Sequence, residues 1–164
     1  MTASMAAWSS FFTAEVGASA TLVGLVVIAI SINLTRILAI ASLPARAAEA
    51  LIILAGALVV ASAALIPDQG LFGYGVEALA VGGSVSVAIV IIQMRSDKSS
   101  TWARGVRRYS RLAISAASSL PLLAGGVLLM SGSPVGLDCI AAGVIVSLIA
   151  GVAAAWVLLV EILR

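Results

Sequence analysis

Five apolar stretches, each about as long as a membrane-spanning helix, dominate this chain and limit what it can fold into. They cover residues 9–33, 47–66, 71–94, 112–130 and 137–163. A bilayer core of about 30 Å is crossed by about 20 apolar residues in helical form. Only 10% of the 164 residues are charged, whereas about a quarter are charged in a soluble domain. The sequence therefore predicts an all-α integral membrane protein that forms a single transmembrane domain over residues 1–164.

The ends of the predicted helices follow from the positions of proline, glycine and charge. Pro44 is the first strong helix breaker, so the first helix is expected to continue as far as Leu43. The turn at residues 67–70 ends the second span, and the turn at residues 131–134 separates the fourth span from the fifth. Residues 1–14 contain no Lys or Arg. We therefore expect the first span to be a retained signal-anchor.

All nine basic residues fall on one side of the membrane if the chain crosses it five times. Because Lys and Arg are retained in cytoplasmic loops, this topology puts the N-terminus outside and the C-terminus in the cytoplasm. Six of the basic residues lie in one connection, where we expect them to contact anionic lipid headgroups. They are Arg95, Lys98, Arg104, Arg107, Arg108 and Arg111.

Small residues form a stripe along one face of three of the spans. Helices in lipid associate where small residues let their backbones approach closely. The stripes therefore predict helix-packing faces within one subunit, with contacts between subunits as the alternative. Their members are Gly17, Thr21, Gly24 and Ser31 in the first span, Gly75, Gly82 and Ser86 in the third, and Gly143, Ser147 and Gly151 in the fifth.

Pro121 lies near the middle of the fourth span, after two serines and before two glycines. A proline inside a helix leaves an earlier carbonyl without its backbone donor and kinks the helix. Pro121 is therefore a candidate hinge, and the alternative is a static kink.

Two glutamates lie within spans, Glu15 in the first and Glu77 in the third, one or two turns below the predicted outer surface. Carboxylates inside a membrane are costly and usually face a bundle interior or a water-filled cavity. In the predicted topology no basic residue lies at this depth, so a salt bridge cannot neutralise them. We expect the two carboxylates to bind a cation or a proton, with the hydroxyls of Ser19 and Ser84 as further ligands. The alternative is that both reach the outer headgroup region.

Two more acids, Asp68 and Asp138, fall on the same predicted side of the membrane. In a symmetric homo-oligomer such residues would form acidic rings around an outer mouth, as in many cation pores.

The residue types that the chain lacks exclude several kinds of site. There is no histidine, which removes histidine metal sites, bis-histidine haem and imidazole bases, so no metal or cofactor is expected. The single cysteine, Cys139, cannot form an internal disulfide. Residues 73–75 match three residues of the TVGYG potassium-channel filter, but the pore helix that precedes that filter is missing. With no catalytic motif and no soluble module, we expect neither an enzyme nor nucleic-acid binding.

The first half of the chain resembles a group of small bacterial membrane proteins with no assigned activity. The resemblance rests on the run from Gly17 to Val26, on Ser31-Ile32-Asn33-Leu34, on Arg46-Ala47-Ala48-Glu49 and on the turn at Pro67. It implies a multi-pass protein of the bacterial cytoplasmic membrane, and it assigns no role to any residue.

Three functions are compatible with these features. The first is a homo-oligomeric, channel-like or transporter-like protein that meets a cation or proton at Glu15 and Glu77. The second is an accessory or scaffold protein whose small-residue faces pack against another membrane protein. The third is a protein with an intramembrane pocket for a lipid or a quinone.

Overall fold

The structure is a computed structural model that describes residues 5–40, 43–96 and 104–163, without the side chains of residues 6, 96, 104–115, 158 and 161–163. All regular structure in these ranges is helical. Four of the helices are long and apolar enough to cross a membrane, and a fifth is apolar over the shorter stretch Ala116–Met130. The predicted all-helical protein with membrane-spanning helices is confirmed. The six helices are α1 (Met5–Ile32), α2 (Leu34–Ala39), α3 (Leu43–Ala63), α4 (Leu71–Ser96), α5 (Arg104–Met130) and α6 (Val135–Leu163).

The first helix ends at Ile32 and does not continue to Leu43 as the sequence analysis predicted. Asn33 interrupts it with φ −104° and ψ 14°, and its side-chain amide donates a 2.9 Å hydrogen bond to the carbonyl of Ala29. The backbone is extended at Ile40, after the short helix α2. Pro44 lies in the first turn of α3. The missing proline N–H is not needed in a first turn, so Pro44 begins a helix instead of ending one.

Helix α3 is the centre of the bundle, because it packs against α1, α4 and α6. Helix α5 closes the other side by packing against α4 and α6. Half of the most apolar stretch of α3 is buried, compared with 11% for α1. Helix α1 therefore lies at the edge of the bundle, and most of its surface is free.

The bundle has an acidic end and a basic end. The acidic end is the one with Glu15, with Asp68 in the α3–α4 turn, and with Asp138 at the start of α6. The basic end carries Arg36, Arg46 and Arg95. Helices α1, α4 and α6 run from the acidic end to the basic end, and α3 and α5 run back.

Four glycines bring α4, α5 and α6 into backbone contact. A Cβ atom on Gly126 of α5 would lie 2.6 Å from Leu79 Cγ and 2.8 Å from the carbonyl oxygen of Gly75, both on α4. On the other side of α5, a Cβ on Gly125 would lie 2.7 Å from the carbonyl oxygen of Gly136 on α6. No side chain fits at these distances, so the three helices approach as closely as they do only because these residues are glycines.

Pro121 lies within α5, which continues as one helix from Arg104 to Met130. One turn after the proline, Gly125 and Gly126 are held against α6 and α4. This close contact on both sides restrains the half of α5 that a hinge would have to move. The hinge at Pro121 stays a prediction, and the packing beside it favours the static kink.

The small-residue stripes of α4 and α6 face neighbouring helices. Gly75 and Gly82 lie against α5, and Gly143 lies against Leu122 of the same helix. Gly151 lies against Leu54 of α3. Two hydroxyls of these stripes bond to their own helices, Ser86 to the carbonyl of Gly82 and Ser147 to the carbonyl of Gly143.

The stripe of α1 meets no other helix in the described part of the subunit. A Cβ on Gly17 or on Gly24 would have no neighbour within 4 Å. Thr21 and Ser31 are also exposed, and each hydroxyl bonds to the carbonyl four residues earlier. The use of this stripe as a packing face stays a prediction, and its exposure favours the alternative of contacts between subunits.

The buried face of α1 carries larger side chains and Ser19. Phe12, Ser19 and Val26 are buried at intervals of seven residues, with Glu15 and Val16 partly buried beside them. A spacing of seven keeps these residues on one helical face. The face of α1 that carries Glu15 is thus the face that packs against the bundle. The bulky residues beside Glu15 fill the surface of α3 better than glycines do.

Candidate functional site

An aromatic cluster fixes α1 to α4 at the acidic end. The Phe12 ring is edge-on to the Tyr74 ring, with 5.9 Å between the ring centroids. Both side chains are fully buried. The Tyr74 hydroxyl donates a 3.3 Å hydrogen bond to the carbonyl of Val60, so the same ring also joins α4 to α3. Trp8 and Phe11 pack on Phe12 from within α1.

Glu15 and Glu77 lie at the same level of the bundle. Each follows one residue of the Phe12–Tyr74 pair by three positions, and α1 and α4 run in the same direction. A helix rises about 1.5 Å per residue, so each glutamate is about 4.5 Å deeper than that ring contact. Each carboxylate also has one buried oxygen without a hydrogen-bond partner. A buried carboxylate oxygen without a donor is an unsatisfied acceptor, which a hydrogen-bond donor or a cation could satisfy.

Ser19 contributes a buried hydroxyl one turn below Glu15. Its side chain is 0% exposed, and its oxygen has no hydrogen-bond partner. Other hydroxyls on these helices, including those of Thr21, Ser31 and Ser84, donate to the carbonyl four residues earlier. The Ser19 hydroxyl donates no such bond, although the carbonyl of Glu15 lies four residues earlier, at the position that accepts in the other cases. Its hydroxyl is therefore free to serve another group at the packed face of α1.

Gln69 is a polar residue of this region that the sequence analysis missed. Its side chain lies over the first turn of α4, where a Cβ on Gly73 would be 3.7 Å from Gln69 Cγ. Its buried amide oxygen has no partner. Gly73 is one turn before Glu77 on the same helical face. The signal was present in the sequence as a glutamine within the turn, eight residues before the glutamate.

The structure separates the remaining predicted residues from this region. Ser84 is exposed in a groove of about 410 Å³ between α3 and α4, and its hydroxyl bonds to the carbonyl of Ala80. Asp68 is exposed in the α3–α4 turn with φ 55°, and Asp138 is exposed in the first turn of α6. The Asp138 carboxylate interacts favourably with the dipole of the helix that it begins. Because Ser84 is exposed in the groove and bonds to its own helix, it is not grouped with Glu15 and Ser19.

A second buried polar layer lies on α3 and α4 near the basic end. Glu49 of α3 and Gln93 of α4 are each 8% exposed. Each lies one helical turn nearer the basic end than the buried contact of Ile53, Ile89 and Ala150. The sequence signal was their four-residue spacing from Ile53 and Ile89, which places them on the same inward faces.

The predicted lipid-contacting residues are described only in part. Arg95 is exposed at the end of α4. Lys98 lies outside the described residues, as do the side chains of Arg104, Arg107, Arg108 and Arg111 on the first turns of α5. In the described ranges, no three Cys, Asp or Glu residues come together as ligands for a metal ion.

No protein-family model, no curated protein and no solved structure matches this chain. The functional argument therefore rests on the geometry alone. The structure supports a membrane protein, and the bacterial cytoplasmic membrane stays a prediction.

Proposed function

We propose that this protein binds a proton or a hard cation within the membrane, at the packed face of α1 that carries Glu15 and Ser19. Glu77 and Gln69 of the α3–α4 corner supply a second set of oxygen atoms at the same end. In this proposal the chain crosses a bacterial cytoplasmic membrane five times, with the acidic end outside, and acts in ion movement as a channel-like or transporter-like homo-oligomer.

The single observation that carries the proposal is the buried, unpartnered hydroxyl of Ser19 one turn from a buried, unpartnered oxygen of Glu15. A buried polar atom without a partner costs about 1–3 kcal/mol. A proton shared with the carboxylate, or a cation held by both oxygens, would remove that cost. Oxygen ligands suit hard cations, and a carboxylic acid donates one O–H bond. Among the residues that the structure describes, no Lys or Arg lies at this level to do the same, and the sequence has no His.

We expect Glu15→Gln and Ser19→Ala to reduce proton or cation flux in liposomes by about tenfold or more. The reason is that each substitution removes an oxygen ligand, and a hydrogen bond to a charged group contributes about 1.5–3 kcal/mol. Flux is measured with an internal pH dye and, separately, with Na⁺- and K⁺-sensitive dyes. Asp138→Asn is the matched control, because it removes an exposed carboxylate at the same end, and its flux should stay close to that of the unmodified protein.

An infrared difference spectrum between low and high pH gives an independent measurement. The carboxylic C=O band assigned to Glu15 should be present in the unmodified protein and absent in Glu15→Gln. If folded Glu15→Gln protein shows the flux and the spectrum of the unmodified protein, the proposal is wrong.

The free face of α1 favours assembly as part of this proposal. Gly17 and Gly24 lie on a helix surface with no neighbour in the subunit. Such surfaces pack against other helices in lipid. A second copy of this chain is the occupant that we propose, and another membrane protein, as expected for an accessory subunit, is the second candidate.

We expect the double substitution Gly17→Leu and Gly24→Leu to dissociate the oligomer without lowering the melting temperature of the subunit. Leucine prevents close backbone approach by another helix, and its Cβ meets no atom of the subunit within 4 Å at either position. Oligomeric mass is measured by light scattering in detergent and by native mass spectrometry. Gly83→Leu is the control, because Gly83 of α4 also has no neighbour within 4 Å. A monomeric unmodified protein that co-purifies with a different membrane protein would favour the accessory function.

A further inference from the structure

A narrow apolar cleft separates α1 from α6 in the half of the bundle nearer the basic end. Its volume is about 190 Å³, and it opens to the side of the bundle. Its walls are purely hydrocarbon and indole surface, four residues from each helix. They are Leu22, Leu25, Val26 and Ala29 of α1 with Val152, Ala155, Trp156 and Leu159 of α6.

The cleft has the direction and depth of a lipid acyl chain. Helices α1 and α6 run the same way, and Leu22 to Ala29 extends over about 10 Å along the helix axis. One leaflet contributes about 15 Å of hydrocarbon, so the cleft covers much of the leaflet on the basic side. A second helix, at about 10 Å in diameter, is too wide for this volume.

An exposed arginine follows the cleft on the α1 side. Asn33 comes one turn after Ala29 in the chain, and Arg36 follows in α2 at the same end of the bundle. Arg36 is exposed. Glu49, a carboxylate of this end whose side chain the structure describes, is buried. Arg36 is therefore the candidate partner for a headgroup whose acyl chain lies in the cleft.

We infer that this cleft is a binding site for one anionic phospholipid, with an acyl chain between α1 and α6 and its phosphate against Arg36. A quinone fits less well, because the indole N–H of Trp156 is the one donor group among the lining side chains, whereas a quinone ring carries two carbonyls. Each Arg or Lys at the surface makes the binding free energy of an anionic headgroup more favourable by about 1 kcal/mol. This corresponds to an affinity about fivefold higher than that of a zwitterionic lipid.

Trp156 lines the cleft and reports directly on its occupant. In the variant Trp8→Phe with Trp102→Phe, Trp156 is the one remaining tryptophan. This variant is placed in bilayers in which either phosphatidylglycerol or phosphatidylcholine carries brominated acyl chains, which quench indole fluorescence on contact. We expect brominated phosphatidylglycerol to reach half-maximal quenching at about one-fifth of the mole fraction that brominated phosphatidylcholine needs.

Two substitutions separate a specific site from general contact with lipid. Arg36→Gln should make the two quenching curves coincide, and Ala155→Leu, which fills the cleft, should lower the quenching by both lipids. Arg36→Lys is the matched control, because it keeps the positive charge at the same position, and it should leave the fivefold ratio largely unchanged. Equal curves before any substitution, or a ratio that Arg36→Gln does not change, would overturn the inference.

The unmodified chain provides a second readout that does not depend on the tryptophan substitutions. Its melting temperature in neutral detergent should rise more with added phosphatidylglycerol than with phosphatidylcholine, and Arg36→Gln should remove that difference. Equal stabilisation by both lipids counts against the site.

Discussion

Gly126→Leu is expected to prevent assembly of the folded bundle, and Gly126→Ala to lower the free energy of unfolding by about 1–3 kcal/mol, the usual cost of overpacking. Even one added carbon would lie 2.6 Å from Leu79 Cγ and 2.8 Å from the backbone oxygen of Gly75. The leucine side chain of Leu79 can move, but the carbonyl of Gly75 can move only with α4. Thermal unfolding of purified protein in detergent, followed by far-UV circular dichroism, measures both effects.

The control for this experiment is Gly83→Ala, also in a membrane-spanning helix. A Cβ on Gly83 meets nothing within 4 Å, and alanine is a better helix former than glycine by up to about 1 kcal/mol. Gly83→Ala should therefore leave stability unchanged or raise it. If Gly126→Ala behaves like Gly83→Ala, then α4 and α5 are farther apart than described here.

Tyr74→Ala is expected to lower the free energy of unfolding by about 2–4 kcal/mol. The ring is fully buried, packs against Phe12 and bonds to the carbonyl of Val60. Truncating a large aromatic residue in a soluble core costs about 3–5 kcal/mol. We expect a somewhat smaller value because the unfolded reference state in lipid does not expose the ring to water, so that the cost of the cavity dominates.

Comparison with Tyr74→Phe separates packing from hydrogen bonding. This variant keeps the ring and should lose only about 1 kcal/mol. The pair Phe12→Ala and Tyr74→Ala should show a coupling energy of about 0.5–1.5 kcal/mol, as expected for an edge-to-face aromatic pair. Additive effects of the two alanine substitutions would show that the rings do not depend on each other.

The sequence predicted the helical membrane fold, but it did not show which neighbour each small-residue stripe meets. Length and hydropathy identify spans because a bilayer imposes both. A stripe of small residues, by contrast, shows only that a helix can be approached closely, and it does not identify the neighbour. The stripes with Gly75 and Gly143 meet helices of the same subunit, whereas the stripe with Gly17 meets none. Nothing local distinguishes these cases.

The candidate site was predictable in part. Glu15 was identified because a carboxylate within a span is costly wherever it points, and Ser19 because it lies one turn away. The exposure of Ser84 was not predictable, since a helical wheel of α4 does not show which of its faces α3 covers. The burial of Gln69 and Glu49 was not predictable for the same reason. Their burial depends on how neighbouring helices pack over them. The residue pattern of a single helix does not show this.

The peripheral position of α1 has a consequence for the order in which the protein is made. Helix α1 is synthesised before α3, but its aromatic contact on α4 and its cleft with α6 depend on segments synthesised later still. Until then α3 is its only long partner, and the face with Glu15 and Ser19 stays in contact with lipid or with the insertion machinery. We therefore expect biogenesis to be slowest at this helix, and a chain truncated before α4 to leave α1 exposed to quality-control proteases.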